Sequence, residues 1–172
     1  VIEAALIGHN IAPGSNRSFS CEEWEWFDQS VFEEVRAEAD AAVDHDIELD
    51  IMGSDIDGTM IEIAKANADE AGVGSSITFK QMQLADFTTD KEYGVILANP
   101  PYGERLGELD AARELYQQMG AVYQQLPSWS KYILASDLDF ETFYGEKATK
   151  CRKLYNGALR VDYFQYWGRR VK

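Results

Sequence analysis

Cysteine, histidine and proline are scarce in these 172 residues, at two, two and four copies. No stretch approaches the roughly 18 consecutive apolar residues that a membrane-spanning helix needs. Cys21 and Cys151 lie far apart, with no CxxC or His/Cys spacing, so neither a disulfide framework nor a zinc site is expected, and both thiols are read as reduced. His9 and His45 have no partner pattern, and His45, in an acidic stretch, reads as a solvated loop residue. GxGxxG, GxxxxGK[ST], HExxH and GxSxG are all missing, which removes support for nucleotide hydrolysis, zinc hydrolysis and serine esterase chemistry. Residues 1–11 are interrupted by Glu3 and His9 and lack a basic lead-in, so they do not read as a secretory signal, and the expected compartment is the cytoplasm.

Basic residues are also few, 16 against 30 acidic, giving a formal net charge of −14. With 45% apolar residues the chain still has the composition of a globular domain. The charge is unevenly placed. Residues 1–110 hold 6 basic and 24 acidic side chains, whereas 111–172 hold 10 and 6. From Lys147 onward, Lys150, Arg152, Lys153, Arg160, Arg169, Arg170 and Lys172 face Asp162 alone. Affinity for nucleic acid comes largely from cations that replace counterions at phosphates. Any such affinity therefore belongs to the basic end, or to a part of the protein outside this sequence.

There is no internal repeat or interdomain linker, so a single domain over 1–172 is expected. Residues 1–11 have helical apolar spacing with nothing ahead of Val1 to cap them, and the chain reads as beginning inside an element. In 20–43, Trp24, Phe27, Val31, Val35, Ala39 and Ala42 recur at steps of three and four, which predicts one helix with its aromatic residues in the core. A strand follows at 47–53. Asp57 and Gly58 then open a helix carrying Ile61, Ala64, Ala68 and Ala71 on one face and closing at Gly72. Further strands are predicted at 77–81, 93–98 and 131–136, and a helix at 109–126 with Leu115, Met119, Val122 and Leu126 aligned. The third strand is so apolar that cover on both faces is expected. Strands and helices that alternate in this way indicate an α/β fold, mostly parallel, with ligands at the strands' carboxyl ends. Asn156-Gly157 between two apolar alternating runs marks a terminal hairpin, which makes the sheet mixed.

The most specific segment is Asn99-Pro100-Pro101-Tyr102, directly after the third strand. Two prolines fix φ and remove N–H donors, leaving a stiff corner of carbonyl acceptors. The Asn99 side-chain oxygen and the Pro100 carbonyl suit the two hydrogens of an exocyclic amino group, and Tyr102 offers a ring for stacking on a base. An aromatic amine is a weak nucleophile because its lone pair is delocalised. Acceptors on both hydrogens favour pyramidal nitrogen and stabilise the positive charge that develops during attack. Asp55, in Gly53-Ser54-Asp55-Ile56-Asp57 at a strand end, is placed to accept from ribose hydroxyls of a nucleoside cofactor, with Ile56 covering an adenine face; Asp57 reads as a helix cap. In Leu84-Ala85-Asp86-Phe87, Asp86 is a weaker candidate for an adenine amino group, with Phe87 beside it.

These segments resemble the catalytic domain of the THUMP-containing RNA methylases, which are class I S-adenosylmethionine-dependent RNA methyltransferases that include 23S rRNA and tRNA guanine-N2 enzymes. Ile2-Glu3-Ala4-Ala5 with Asn10-Ile11-Ala12-Pro13-Gly14 resembles that family's first catalytic helix and turn. Gly53 to Asp57 resembles its ribose segment, Asn99 to Arg105 its amino-methylating motif, and Leu154-Tyr155-Asn156-Gly157-Ala158-Leu159 its terminal hairpin. The resemblance implies a Rossmann-like fold and S-adenosylmethionine as cofactor. It implies Asn99, Pro100, Pro101 and Tyr102 as catalytic residues, and Asp55, Ile56, Asp86, Phe87 and again Asn99 as cofactor contacts, with no metal. It also implies that the first strand, the glycine-rich cofactor loop and the THUMP domain precede Val1 in a longer protein. The substrate would be structured RNA, rRNA or tRNA, captured mainly by that N-terminal part, with no membrane involved. The target base must leave its stack to reach Asn99. N6-adenine methylation of DNA or RNA is the alternative within enzymes; a non-catalytic interaction domain is the alternative outside them.

Overall fold

The computed structural model describes residues 1–103 and 108–169. Glu104, Arg105 and Leu106 of the long motif, and Arg170 and Lys172 of the basic end, lie outside the described residues. The chain divides into two compact units, Val1–Met82 and Gln83–Lys172.

The first unit holds helix α1 (Ile2–Gly8), helix α2 (Ser30–Ala41), strand β1 (Ile51–Asp55), helix α3 (Gly58–Glu70) and strand β2 (Ile77–Gln81). β1 and β2 pair in parallel, Ile51 opposite Ile77 and Asp55 opposite Gln81, so both carboxyl ends emerge side by side. Ala5, Ala68, Val73 and Ile77 form its buried core, with Leu6, Leu49, Ile51 and Phe79 packed around them. α3 starts where expected: the Asp57 carboxylate accepts the Thr59 N–H at 2.8 Å, and Gly72 takes φ +75 just past its end. His9 is a satisfied core histidine, with Nδ1 2.8 Å from the Asp44 carbonyl and Nε2 2.6 Å from the Ser76 hydroxyl.

The predicted helix over 20–43 is a correction. Only Ser20–Glu23, as a single 3₁₀ turn, and α2 are helical. Between them the Trp24 and Trp26 rings stack at 5.1 Å, a contact that two residues two apart in sequence cannot make on a helix. Asp28 Oδ1 then accepts both the backbone N–H and the hydroxyl of Ser30, at 3.0 and 2.8 Å, and so starts the helix afresh. Of the expected face, Trp24, Val31 and Val35 are exposed, keeping 46, 41 and 57% of their surface, while Phe27 is half-buried.

The second unit holds strand β3 (Val95–Ala98), helix α4 (Glu108–Tyr123), strand β4 (Ser130–Ala135), helix α5 (Phe140–Tyr144), and the hairpin of β5 (Lys150–Asn156) and β6 (Leu159–Tyr166). Its sheet order is β3-β4-β6-β5. β3 and β4 are parallel, while β6 runs antiparallel to both β4 and β5. The Asn-Gly hairpin and the mixed sheet are therefore present, but the six strands form a two-stranded and a four-stranded sheet rather than one. One face of the larger sheet carries Ile133, Ala135, Phe164 and Tyr166 against Ala112, Tyr116, Met119 and Tyr123 of α4 and Phe140 and Tyr144 of α5. Ring pairs such as Phe140–Phe164 at 4.6 Å add about 0.5–1.5 kcal/mol each beyond burial. Cover on both faces of β3 is corrected: Ile96 packs on this core, but Val95 and Leu97, pointing the other way, are 60 and 66% exposed. No helix among the described residues is long and apolar enough to cross a membrane.

The end of α4's first turns is tied to the end of β4. Arg113 Nε donates to Asp137 Oδ2 at 2.8 Å, and the guanidinium lies 4.6 Å from the Phe143 ring centre. Desolvation pushes the Asp137 carboxyl up, but the Arg113 bond, the Asp139 backbone N–H and the guanidinium charge outweigh it and hold it below the usual carboxylate range.

Two outcomes are expected. Asp57→Ala loses the α3 cap and costs about 1 kcal/mol in chemical denaturation. A group whose folded pKa is depressed stabilises above its unfolded value, and that contribution fades as pH falls through the folded value. Asp137→Asn is therefore less stable than the unaltered chain at pH 7, and the gap closes under acid; a gap that stays constant down to pH 2 contradicts the tie.

Candidate active site

In the first unit, the carboxyl end of β2 braces the turn after β1. The Met82 N–H donates to the Asp55 carbonyl at 2.9 Å and Gln81 Nε2 to the Ile56 carbonyl at 3.1 Å. Gly58 sits so close that a Cβ there would lie 2.9 Å from Gln81 Oε1. Asp55 is exposed, and its Oδ1 accepts the Asp57 N–H at 2.8 Å. That bond orients the carboxylate; its second oxygen makes no hydrogen bond among the described residues. Ile56, beside it, is 65% exposed. An oriented carboxylate with an open oxygen next to an exposed apolar side chain fits vicinal ribose hydroxyls with an adjoining flat base. Gln81 was not singled out from the sequence, because a glutamine at a strand end carries no motif.

In the second unit, Asn99 to Tyr102 follows the carboxyl end of β3, as the spacing predicts. Asn99 and Pro101 are exposed, Pro100 is buried and Tyr102 half-buried. Two side chains brace the corner. The Tyr116 hydroxyl, on fully buried α4 residue Tyr116, donates to the Pro101 carbonyl at 3.3 Å. The Ser136 hydroxyl, one residue past β4, donates to the Tyr102 carbonyl at 3.3 Å. Burial, reinforced by the nearby Asp137 charge, pushes the Tyr116 phenol above its ordinary value and keeps it a proton donor. Gly103 leaves the corner at φ +67, where a Cβ would lie 2.8 Å from the Leu109 Cα, so only glycine fits both the conformation and the space. Among the described residues, neither the Asn99 side chain nor the Pro100 carbonyl has a hydrogen-bond partner. Among the described residues the corner thus leaves the Asn99 side chain and the Asn99 and Pro100 carbonyls unpaired, beside two carbonyls that are occupied.

Asp86 and Phe87 end up in different surroundings. Asp86 closes a 3₁₀ turn (Leu84–Asp86) and is exposed. Phe87 sets its ring edge against Trp129, centroids 6.3 Å apart, just ahead of the amino end of β4. The structure thus does not bring the Phe87 ring to the corner at the carboxyl end of β3. Tyr116 and Ser136 were missed from the sequence. Tyr116 lies one position after Leu115 of the predicted stripe, and the buried stripe runs through Ala112, Tyr116, Met119 and Tyr123 instead.

The chain is similar to known proteins. A Bacillus subtilis (strain 168) protein named "Putative RNA methyltransferase YpsC" is 54% identical over 168 residues, which are 98% of this chain and 44% of that protein. The ribosomal RNA large subunit methyltransferase K/L of Shewanella baltica (strain OS185) is 38% identical over 171 residues, 96% of this chain and 24% of its own length. The chain thus spans less than half the length of these curated relatives. A solved methyltransferase structure, SMU.472 complexed with SAH, superposes with a TM-score of 0.94 at 54% identity and covers 99% of this chain and 45% of that one. The mixed α/β architecture is that of a Rossmann-like class I methyltransferase. The family description that matches residues 1–165 is the RMKL-like methyltransferase domain, and this chain belongs to that family.

Proposed function

We propose that residues 1–172 act as a methyltransferase catalytic domain that uses S-adenosylmethionine to methylate an exocyclic base amine in structured RNA, with guanine N2 of 23S rRNA as the target. The observation that carries this reading is the braced corner at 99–102, with its Asn99 side-chain oxygen and Pro100 carbonyl left open. The SAH in SMU.472 and the names of YpsC and the K/L enzyme support the cofactor and the RNA class.

When bound, the cofactor supplies an electrophilic methyl on a sulfonium. Asp55 would hold its ribose and Ile56 its adenine face. Asn99 and the Pro100 carbonyl accept the amine's two N–H hydrogens and turn its lone pair outward. As the C–N bond forms and the S–C bond breaks, positive charge grows on nitrogen, where two preorganised carbonyl dipoles stabilise it. The surplus proton then passes to solvent. Tyr102 holds the flipped base by its ring, and an upstream RNA-binding part supplies most of the affinity that an acidic domain lacks.

The test is methyl transfer from labelled cofactor to rRNA by the protein at its full natural length, followed by digestion to nucleosides. Label in N2-methylguanosine is expected. Label in N6-methyladenosine moves the target to adenine, and label on DNA or protein but not RNA overturns the substrate class. Asn99→Ala lowers kcat by about 10²-fold, as loss of one preorganised partner does elsewhere; a near-normal rate removes Asn99 from the mechanism. Asp55→Ala weakens cofactor binding by about 10- to 100-fold in calorimetric titration, the value of hydrogen bonds to a charged acceptor.

A further inference from the structure

The corner at 99–102 offers five carbonyl acceptors, the Asn99 side chain and the backbone oxygens of Asn99, Pro100, Pro101 and Tyr102, but an amino group has only two hydrogens to give. Something must determine which pair faces it. The sequence constrains the first half of the corner. The rings fix φ at Pro100 and Pro101, and because each of Asn99 and Pro100 precedes a proline, both are confined to extended ψ. It leaves the second half loose: ψ at Pro101 and at Tyr102 is restricted by no ring.

Those two angles set the directions of the Pro101 and Tyr102 carbonyls, and each of these carbonyls receives one hydroxyl. Tyr116 reaches Pro101 from α4 and Ser136 reaches Tyr102 from the end of β4, both at 3.3 Å. Tyr116 has no freedom to do otherwise. It is fully buried, and its ring is held at 67° against Phe140 with centroids 4.9 Å apart. Both bonds are long, as catalytic-site hydrogen bonds often are before substrate binds.

We propose that Tyr116 and Ser136 are positioning residues that narrow the choice of acceptors, occupying the Pro101 and Tyr102 carbonyls so that the Asn99 side chain and the Pro100 carbonyl, at the other half of the corner, receive the amine. This rests on the reading of 99–102 as the amine-holding corner. The proposal separates two kinds of hydroxyl loss. Without Tyr116 or Ser136 the substrate still binds, because Tyr102 and the rest of the surface are intact, but a freed carbonyl competes for an amine hydrogen and turns the lone pair off line.

Tyr116→Phe removes one oxygen and keeps the ring packing, and Ser136→Ala does the equivalent on the other side. In steady-state methyl transfer at full natural length, each lowers kcat about tenfold, the worth of one neutral hydrogen bond at the upper end of its range. KM for RNA and for cofactor stays within about twofold, and the melting temperature within a few degrees. Ser136→Thr, which keeps a hydroxyl, retains the rate. In an Asn99→Ala background the Tyr116→Phe effect shrinks, because the two side chains act on one group.

Unchanged kcat in both single variants overturns the proposal, as does a tenfold loss that is undiminished beside Asn99→Ala. A fall in kcat matched by raised KM or a large loss of melting temperature assigns the two residues to general stability and also overturns it. The underlying reading fails separately: a normal rate in Asn99→Ala sinks the corner itself, whereas a slow Asn99→Ala with normal Tyr116→Phe and Ser136→Ala sinks only the selection of acceptors.

Discussion

Parallel strand pairing is the constraint on which the candidate site depends. A parallel pair delivers both carboxyl ends to the same edge, and the residues just past those ends are then neighbours whatever their separation in sequence. In the first unit the register that puts Asp55 opposite Gln81 lets the β2 end hold the Asp55–Gly58 turn by two hydrogen bonds. In the second, Ala98 opposite Ile133 brings Asn99–Tyr102 within reach of Ser136. Slipping either register by one residue would turn the slipped strand's side chains to the other face and break the brace which that pair carries. The chemistry proposed for this family member is thus carried by loops, while its precision comes from strand register.

Local chemistry made part of this readable from the sequence alone. Strand 77–81 was legible to the residue, as were the Asp57 cap and the closing Gly72, and the terminal hairpin was legible to within one residue, its turn falling on Gly157-Ala158 with Asn156 paired to Leu159, because each rests on the preferences of a few adjacent residues. The corner at 99–102 was legible for the same reason: two prolines announce stiffness wherever they stand. What escaped depends on partners distant in sequence. The aromatic spacing over 20–43 suggested a helix until the Trp24–Trp26 stack competed for the same residues. The alternation within β3 was masked by its uniformly apolar sequence, and only the packing of Ile96, against the exposure of Val95 and Leu97, distinguishes its faces. Tyr116 and Ser136 carry no motif, since a buried tyrosine in an amphipathic helix reads as core, which Tyr116 also is.

Charge follows a different logic from geometry. The basic end looks strongly cationic in sequence, but Arg160 is held by both oxygens of buried Asp162, at 2.8 and 3.1 Å, and so is partly spent within the hairpin. Lys150, Arg152 and Lys153 lie on β5, whose residues are all exposed, and Lys153 stands 5.5 Å from the Tyr155 ring centre. The hairpin therefore offers a small cationic strip rather than a phosphate-binding surface that could offset a body of net charge −14. The proposed affinity for RNA and the proposed methyl transfer are thus separable.

That separation bears on why the amine-holding groups are carbonyls. A carboxylate in place of Asn99 would stabilise the developing positive charge more strongly, but it would add to a field that already repels phosphate. Neutral dipoles avoid that cost. They carry no net charge, and the two prolines stiffen the chain that holds them while the hydroxyl braces keep the neighbouring Pro101 and Tyr102 carbonyls engaged, so little reorganisation is left for the reaction itself. An acidic domain acting on a polyanion can stabilise a cationic transition state in this way without changing its net charge. The demand then falls on orientation, which is why hydroxyls that never touch the substrate matter to the rate.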